Sequence, residues 1–239
     1  MPTLGIFAKR PVPGAVKTRL AVAIGDEPAA RFYEVSLRTL LARVRGLHLR
    51  RVIAHAGGSS EELAWFGQFE GYELWPQPAG DLGKKLAAWF EFACASDDRV
   101  LVIGSDSPTL PLQYIRDAIT ALDTSNCVIG PAMDGGYYLL GLRRPVPQLF
   151  EGIAWSSPLV LAQTLARTVQ QGLQVTVLPF WNDVDEVDDL ATLSDQLAGL
   201  SADPRWEQLQ SEVDRWVVRE REAAFTPAQA ATGPLNLPD

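Results

Sequence analysis

The sequence predicts an α/β protein built on a mostly parallel sheet with helices on both faces. Three observations lead there. Short apolar runs alternate with longer segments of helical period. One run, Val100–Ile103, is apolar throughout, as a central strand covered on both faces must be. Turn residues such as Gly57-Gly58 and Gly172 punctuate the alternation. The chain has 239 residues, 47% hydrophobic and 21% charged, which is ordinary for a globular protein. Residues 1–200 read as one domain. An amphipathic helix is expected over 201–225, and a disordered Pro- and Ala-rich tail over 226–239.

Taken in order, residues 3–8 read as a buried strand, followed by a Gly/Pro loop that enters a helix. Residues 27–45 read as a helix, with Phe32, Val35, Leu37, Leu40, Leu41 and Val44 at helical spacing. Residues 51–55 form a second strand, and Ser59 caps a short helix to about residue 66. A weak strand over 72–75 and a helix over 82–95 precede the central strand 100–103. Pro111 opens a helix to residue 122. Strands over 127–130 and 137–142 follow, then a helix over 157–171 with Ser157 as its cap, and a last strand over 175–178. Trp206, Leu209, Val213, Trp216 and Val217 make an apolar stripe that packs on the domain or on a second copy, which allows a homo-oligomer through this helix.

Bulk properties exclude several classes. The net charge of −8 argues against general nucleic-acid binding. No stretch approaches the ~20 apolar residues of a membrane span, and no export signal is read at the start. Cys94 and Cys127 have neither a metal-ligand spacing nor a disulfide framework, so a reducing cytoplasm is expected.

Charge is distributed unevenly. The first twenty residues carry Lys9, Arg10, Lys17 and Arg19 and no acid; Trp181 to Asp195 carries Asp183, Asp185, Glu186, Asp188, Asp189 and Asp195 and no base. Gly104-Ser105-Asp106-Ser107-Pro108 directly follows the central strand. All three elements follow strands, and ligands bind α/β sheets at the strands' carboxyl ends, so one crevice can collect them. A basic loop stiffened by Pro11 and Pro13, opened by Gly14 and carrying Lys17 and Arg19 beside a helix start, suits a diphosphate or triphosphate. It is not a P-loop, because Val16 stands where that motif has Gly. Asp106, Asp185 and Asp183 are candidate ligands for Mg²⁺ or Mn²⁺.

Simpler readings stand beside these. Asp106 can shape a turn or cap the next helix, and Asp185 or Glu186 can cap a helix N-terminus. Asp188 and Asp189 read as solvated first-turn charges. Asp134-Gly135-Gly136 is either a hairpin turn or a loop presenting Asp134 to an acceptor as a base. Tyr137 and Tyr138 point to opposite faces of their strand, so one of them is expected at the site. His55 reads as a surface histidine.

These motifs resemble a bacterial family of GT-A-type glycosyltransferases known as domain of unknown function 2064, some members of which are associated with arsenosugar biosynthesis. The resemblance covers roughly residues 3–197. It rests on Lys9-x-Pro11-x-Pro13-Gly14-x-Val16-Lys17-Thr18-Arg19-Leu20, Gly80-Asp81-Leu82-Gly83, Gly104-Ser105-Asp106-Ser107-Pro108, Gly130-Pro131-Ala132-x-Asp134-Gly135-Gly136-Tyr137-Tyr138, Trp155-Ser156-Ser157 and Asp183-Val184-Asp185-x-x-Asp188-Asp189-Leu190. It implies a three-layer α/β/α sandwich of the nucleotide-diphospho-sugar transferase kind. It also implies a nucleotide site at Lys9, Pro13, Gly14, Lys17, Arg19, Asp81, Gly83, Ser105, Gly135 and Gly136. A catalytic group of Lys17, Arg19, Asp106 and Asp134 and a metal at Asp106, Asp185 and Asp183 complete it. More distantly, Lys17-Thr18-Arg19-Leu20 is similar to the loop of 2-phospholactate and molybdenum-cofactor guanylyltransferases. Relatives have Glu-Arg where this chain has Lys84-Lys85, and Thr-Pro where it has Glu186-Val187. Many glycosyltransferases of the fold carry Asp-x-Asp where this chain has Asp106-Ser107-Pro108.

The expected activity is metal-dependent transfer from a nucleotide-activated donor to a small acceptor, with a nucleotide sugar first. Nucleotidyl transfer with release of pyrophosphate is the alternative. A nucleotide-binding protein that has lost turnover is the third reading.

Overall fold

The computed structural model describes residues 1–200 and 204–224; the tail expected over 226–239 lies outside them. The elements in chain order are β1 (Thr3–Ala8), α1 (Thr18–Ile24), α2 (Asp26–Val44), β2 (Arg50–His55), α3 (Ser60–Gly67), β3 (Glu73–Pro76), α4 (Leu82–Cys94), β4 (Val100–Ile103), α5 (Leu112–Ala121), β5 (Cys127–Pro131), β6 (Tyr137–Leu142), a 3₁₀ turn (Pro147–Phe150), α6 (Val160–Gln170), β7 (Val175–Val177), α7 (Asp189–Ala198) and α8 (Pro204–Ala224).

Seven strands form one sheet in the order β3-β2-β1-β4-β6-β5-β7. The β1–β2, β2–β3, β1–β4 and β5–β7 ladders are parallel, with Ile6 opposite both Ile53 and Ile103. Only β6 runs against its neighbours β4 and β5. It does so because a tight hairpin joins it to β5, closed by Ala132 N–H to the Gly136 carbonyl at 3.1 Å. The first residues of β6 therefore lie at the edge where β1, β4 and β5 finish. The mostly parallel sheet and a central β4 were legible in the sequence.

Alternation along the strands feeds two cores. Leu4, Ile6, Ile53, Leu101 and Ile103 pack under Leu37, Leu40 and Leu41 of α2 and Ile115 of α5. Val52, Val100 and Val102 pack on the other face under Leu86, Trp89 and Phe90 of α4. Gly5 explains how α4 comes so close: a Cβ there would lie 2.5–2.9 Å from three atoms of the buried Trp89 ring. A third cluster joins Leu20 and Ile24 of α1, Phe32 and Val35 of α2, Leu190, Leu193 and Leu197 of α7, and Leu209 and Val213 of α8. The apolar stripe of α8 is taken up at Leu209 and Val213 by α2 and α7 of the same chain.

Local signals fixed several ends. Ser59 accepts from Glu62 N–H while the Glu62 carboxylate accepts from Ser59 N–H, a reciprocal cap on α3. Gly25 at φ +91 separates α1 from α2, and α2 matches the helix expected over 27–45. Two expectations need correction. The helix expected from Ser157 begins at Val160. Ser156 is left-handed at φ +62, and the Ser157 hydroxyl donates to the Ala154 carbonyl at 2.7 Å and accepts Leu159 N–H at 3.3 Å, in the turn that precedes the helix. His55 is fully buried, stacked on Phe66 with ring centroids 5.4 Å apart, since β2 is covered on that face by α3. Among the described residues no helix is long and apolar enough to cross a membrane.

Two outcomes follow from this packing. Gly5→Ala should lose about 1–3 kcal/mol of stability in urea unfolding, the usual cost of overpacking; an unchanged midpoint would show that the Trp89 ring can yield. Burial pushes the Cys127 thiol up to about 12, and burial with the nearby Asp97 pushes Cys94 up to about 11. Iodoacetamide at pH 8 should therefore leave both unlabelled in the native chain and modify both in denaturant.

Candidate functional site

A cavity of about 510 Å³ opens at the carboxyl edge of the sheet. Three loops build one wall. The loop after β1 contributes Lys9, Lys17 and Arg19; the loop after β4 contributes Ser105 and Asp106; the segment after β7 contributes Asp183 and Asp185. Gln77, Leu82, Lys85 and Leu86, after β3 and on α4, form the facing wall, and Tyr33 of α2 lies at the floor. Both Tyr137 and Tyr138 border the cavity, although only one was expected. Their side chains do go to opposite cores, but the start of an antiparallel strand brings both residues to the sheet edge that the cavity borders.

Lys17 holds the wall together. Its ammonium pairs with Asp106 and, at 2.9 Å, with Asp185, and its side chain is only 3% exposed. Burial alone would lower its pKa, yet Asp106 and Asp185 overcome that and hold the ammonium above its ordinary value. The magnitudes agree with this direction. One such pair attracts by about 4 kcal/mol at an effective dielectric of about 20, so two pairs exceed the several kcal/mol of desolvating one ion. Lys17 also adopts a left-handed backbone, φ 47 and ψ 44, as the residue that opens α1. That conformation costs a non-glycine residue about 1–2 kcal/mol, and it is what turns the side chain inward toward the carboxylates.

The acidic segment is pinned at three points. Val184 N–H donates to the Asp106 carbonyl at 3.0 Å. The Ser107 hydroxyl donates to Asp183. Asp189 Oδ2 accepts the N–H groups of Asp185 and Glu186, both at 2.8 Å. Burial, together with the charges of Asp106 and Asp185, raises the Asp183 carboxyl to about 7 against the pull of Ser107 and Lys17. Tyr33 ties the other two loops: its hydroxyl accepts Lys9 N–H at 3.0 Å and pairs with the Ser105 hydroxyl at 2.9 Å. Burial and Asp106 push the Tyr33 phenol up to about 12. Arg19 sits at the rim, 64% exposed and 3.8 Å from Glu186.

Asp106 and Asp185 reach the same ammonium, so their oxygens converge on one cation-sized point, and such hard donors suit Mg²⁺ or Mn²⁺. Asp183 does not complete a ready set with them. Among the described residues no three His, Cys, Asp or Glu side chains gather as a metal group, because Asp183 is drawn aside to Ser107.

The other sequence candidates lie elsewhere. Asp134 is exposed outside the cavity lining, and its Oδ1 accepts Gly136 N–H at 2.8 Å, as the hairpin-turn reading requires. Gly135, at φ +88, packs against Pro158, and Gly136 lies against Asp134. Asp81 caps α4 by accepting Lys84 N–H at 2.9 Å. Gly83 is buried beneath Trp155, with no room for a Cβ between the indole nitrogen and the Phe150 carbonyl. Pro13 and Gly14 lie outside the cavity lining on the exposed outer part of the basic loop. Tyr33, Ser107 and Asp189 are structural members of the site that went unread. Tyr33 sits on a helix face like any core aromatic, and Ser107 and Asp189 look like turn and first-turn residues until their partners are known.

Residues 39–157 match the profile of a family described as uncharacterized protein conserved in bacteria (DUF2064). A provisionally named nucleotide-diphospho-sugar transferase from Desulfovibrio desulfuricans G20 superposes with a TM-score of 0.85 at 32% identity, over 92% of this chain and 98% of that one. The chain belongs to the DUF2064 family. This bears out the resemblance carried by the motifs. Remoter structures share the fold alone. The inositol-1-phosphate CTP transferase from T. maritima gives a TM-score of 0.52 at 13% identity, over 90% of this chain and 96% of that one. A cytidylyltransferase from Leptospira borgpetersenii serovar Hardjo-bovis gives 0.55 at 12%, over 96% and 99%. No curated protein matches the chain.

The Asp183 environment predicts a pH signature. Its carboxyl ionises near 3.8 when unfolded and near 7 when folded. Between those values the folded chain holds the extra proton, so this group's contribution to stability falls as pH rises from about 4 to about 7. In urea unfolding with chelator, the stability of Asp183→Asn relative to the parent chain should grow across that window and level off above it. A difference independent of pH would contradict the assignment.

Proposed function

We propose that this family member is a metal-dependent transferase acting on a nucleotide-activated donor, and that the donor is a nucleotide sugar. The observation that carries the reading is the meeting of Lys17 and Arg19 with Asp106, Asp183 and Asp185 around one cavity. A site that couples cations for phosphate to converging hard oxygen donors is what chemistry at a diphosphate requires. The name given to the 32%-identical protein from Desulfovibrio desulfuricans G20 supports the same class.

In this reading Asp106 and Asp185 hold a Mg²⁺ or Mn²⁺ ion, which when bound neutralises charge on a diphosphate leaving group. Two carboxylates suffice, since Mg²⁺ commonly completes its shell with water and substrate phosphate. Lys17 and Arg19 bind the phosphates and stabilise the charge that develops on them. Removing one such contact typically costs about 2–4 kcal/mol of transition-state stabilisation. Lys9 and Ser105 line the same wall and orient the donor. Asp81, through its cap on α4, and Gly83, through the fit of Trp155, support the facing wall rather than touch the donor.

Two observations favour nucleotidyl transfer as the second reading. Asp106 stands alone where Asp-x-Asp is common in glycosyltransferases. Asp134, the candidate base for a sugar hydroxyl, lies outside the cavity lining and is engaged in its own turn. A phosphate acceptor would need no base.

Titrating nucleoside diphosphates, triphosphates and nucleotide sugars with and without Mn²⁺ tests the class. At least one should bind tightly in a metal-dependent way, weakened about tenfold or more by Asp106→Ala, a loss of about 1.4 kcal/mol or more. Equal binding of every ligand in chelator would overturn it. Product analysis then separates the chemistries: free nucleoside phosphate marks glycosyl transfer, and pyrophosphate marks nucleotidyl transfer.

A further inference from the structure

Lys17 occupies the point on which Asp106 and Asp185 converge. Its ammonium is paired with both, while the two acids keep about two-fifths of their own side-chain surface exposed. Among the described residues, the other cations lining the cavity pair with neither acid: Lys9 is exposed, Arg19 points to the rim toward Glu186, and Lys85 lies on the facing wall. The left-handed backbone at Lys17 and the two N–H groups that Asp189 accepts set the backbone of the lysine and of Asp185. An ammonium and a divalent ion cannot share one point between two carboxylates, because like charges repel. The lysine, however, is a flexible stem and can swing.

We infer that Lys17 is a built-in counter-ion that competes with divalent metal for Asp106 and Asp185, so that the metal binds weakly until the ammonium is drawn off. The inference rests on the reading of Asp106 and Asp185 as metal ligands and adds a regulation to it. Donor phosphates offer the ammonium new partners, so phosphate and metal each improve the other's binding through Lys17, a reciprocal coupling. The free chain is then guarded against holding metal without donor.

The test uses the full chain and Mn²⁺ alone, followed by the loss of the free-ion EPR signal. Lys17→Met should bind Mn²⁺ at least about tenfold more tightly than the parent chain, a coupling of about 1.4 kcal/mol. Lys17→Arg, which keeps the charge, should stay weak, and adding Asp106→Asn to Lys17→Met should abolish the gain. Equal or weaker binding by Lys17→Met would overturn the inference. A second measurement needs no variant. Acetylation of Lys17 with acetic anhydride, read by mass spectrometry against exposed Lys9, should rise at least threefold in saturating Mg²⁺, and an unchanged ratio would also overturn it. Both readouts omit nucleotide. If they succeed while no nucleotide binds, the transferase reading fails and the competition stands.

Discussion

The arrangement of the cavity depends on one buried charge. Lys17 carries an ammonium out of water, and such an ion is tolerated only where opposite charges meet it. Asp106 comes from the end of β4 and Asp185 from beyond β7, so pairing with both fixes two loops that are far apart in sequence. The requirement runs the other way too. With Lys17 gone, two carboxylates and the raised Asp183 would face one another across the same space. Satisfying one ion thus defines the wall of the site, and it gives a reason for the left-handed backbone at its centre.

Around that charge, the pins are backbone and hydroxyl contacts. Val184 N–H on the Asp106 carbonyl, Ser107 on Asp183, and Asp189 on two successive N–H groups turn the acidic run into a rigid ledge. The third apolar cluster supports the ledge from below, with Val184 and Leu190 buried among residues of α1, α2 and α8. The C-terminal helix therefore reaches the site indirectly, by packing on α2 and α7. Tyr33 does the same work on the other side, joining the basic loop to the loop after β4.

Membership of a family and possession of a fold leave the chemistry open, because one architecture hosts several transfer reactions and function lives in the site. Here the site combines features of two chemistries. In the proposed reading the cations and converging acids serve either. The single Asp106 and the place of Asp134 outside the cavity lining lean toward an acceptor whose attacking oxygen is already ionised, while the name of the 32%-identical relative leans toward sugars. Lys85 lines the facing wall, and the Lys84 backbone N–H is committed to the Asp81 cap.

The sequence by itself determined the layer architecture, because strand and helix periods and turn residues are local signals. It also determined that cations and carboxylates follow strands, from which one shared edge could be deduced. Within the acidic run it separated Asp183 and Asp185 from the first-turn charges Asp188 and Asp189, but not the hold of Ser107 on Asp183 or the two backbone N–H groups that Asp189 accepts. Asp134 and Asp81 carry family motifs, and each also accepts a backbone N–H two or three residues on, a local contact. His55 read as a surface residue, until α3 folded across it. Tertiary structure alone decided its burial and the partners of the acidic run, since these depend on segments far apart in the chain, such as Lys17 and Asp185, 168 residues apart.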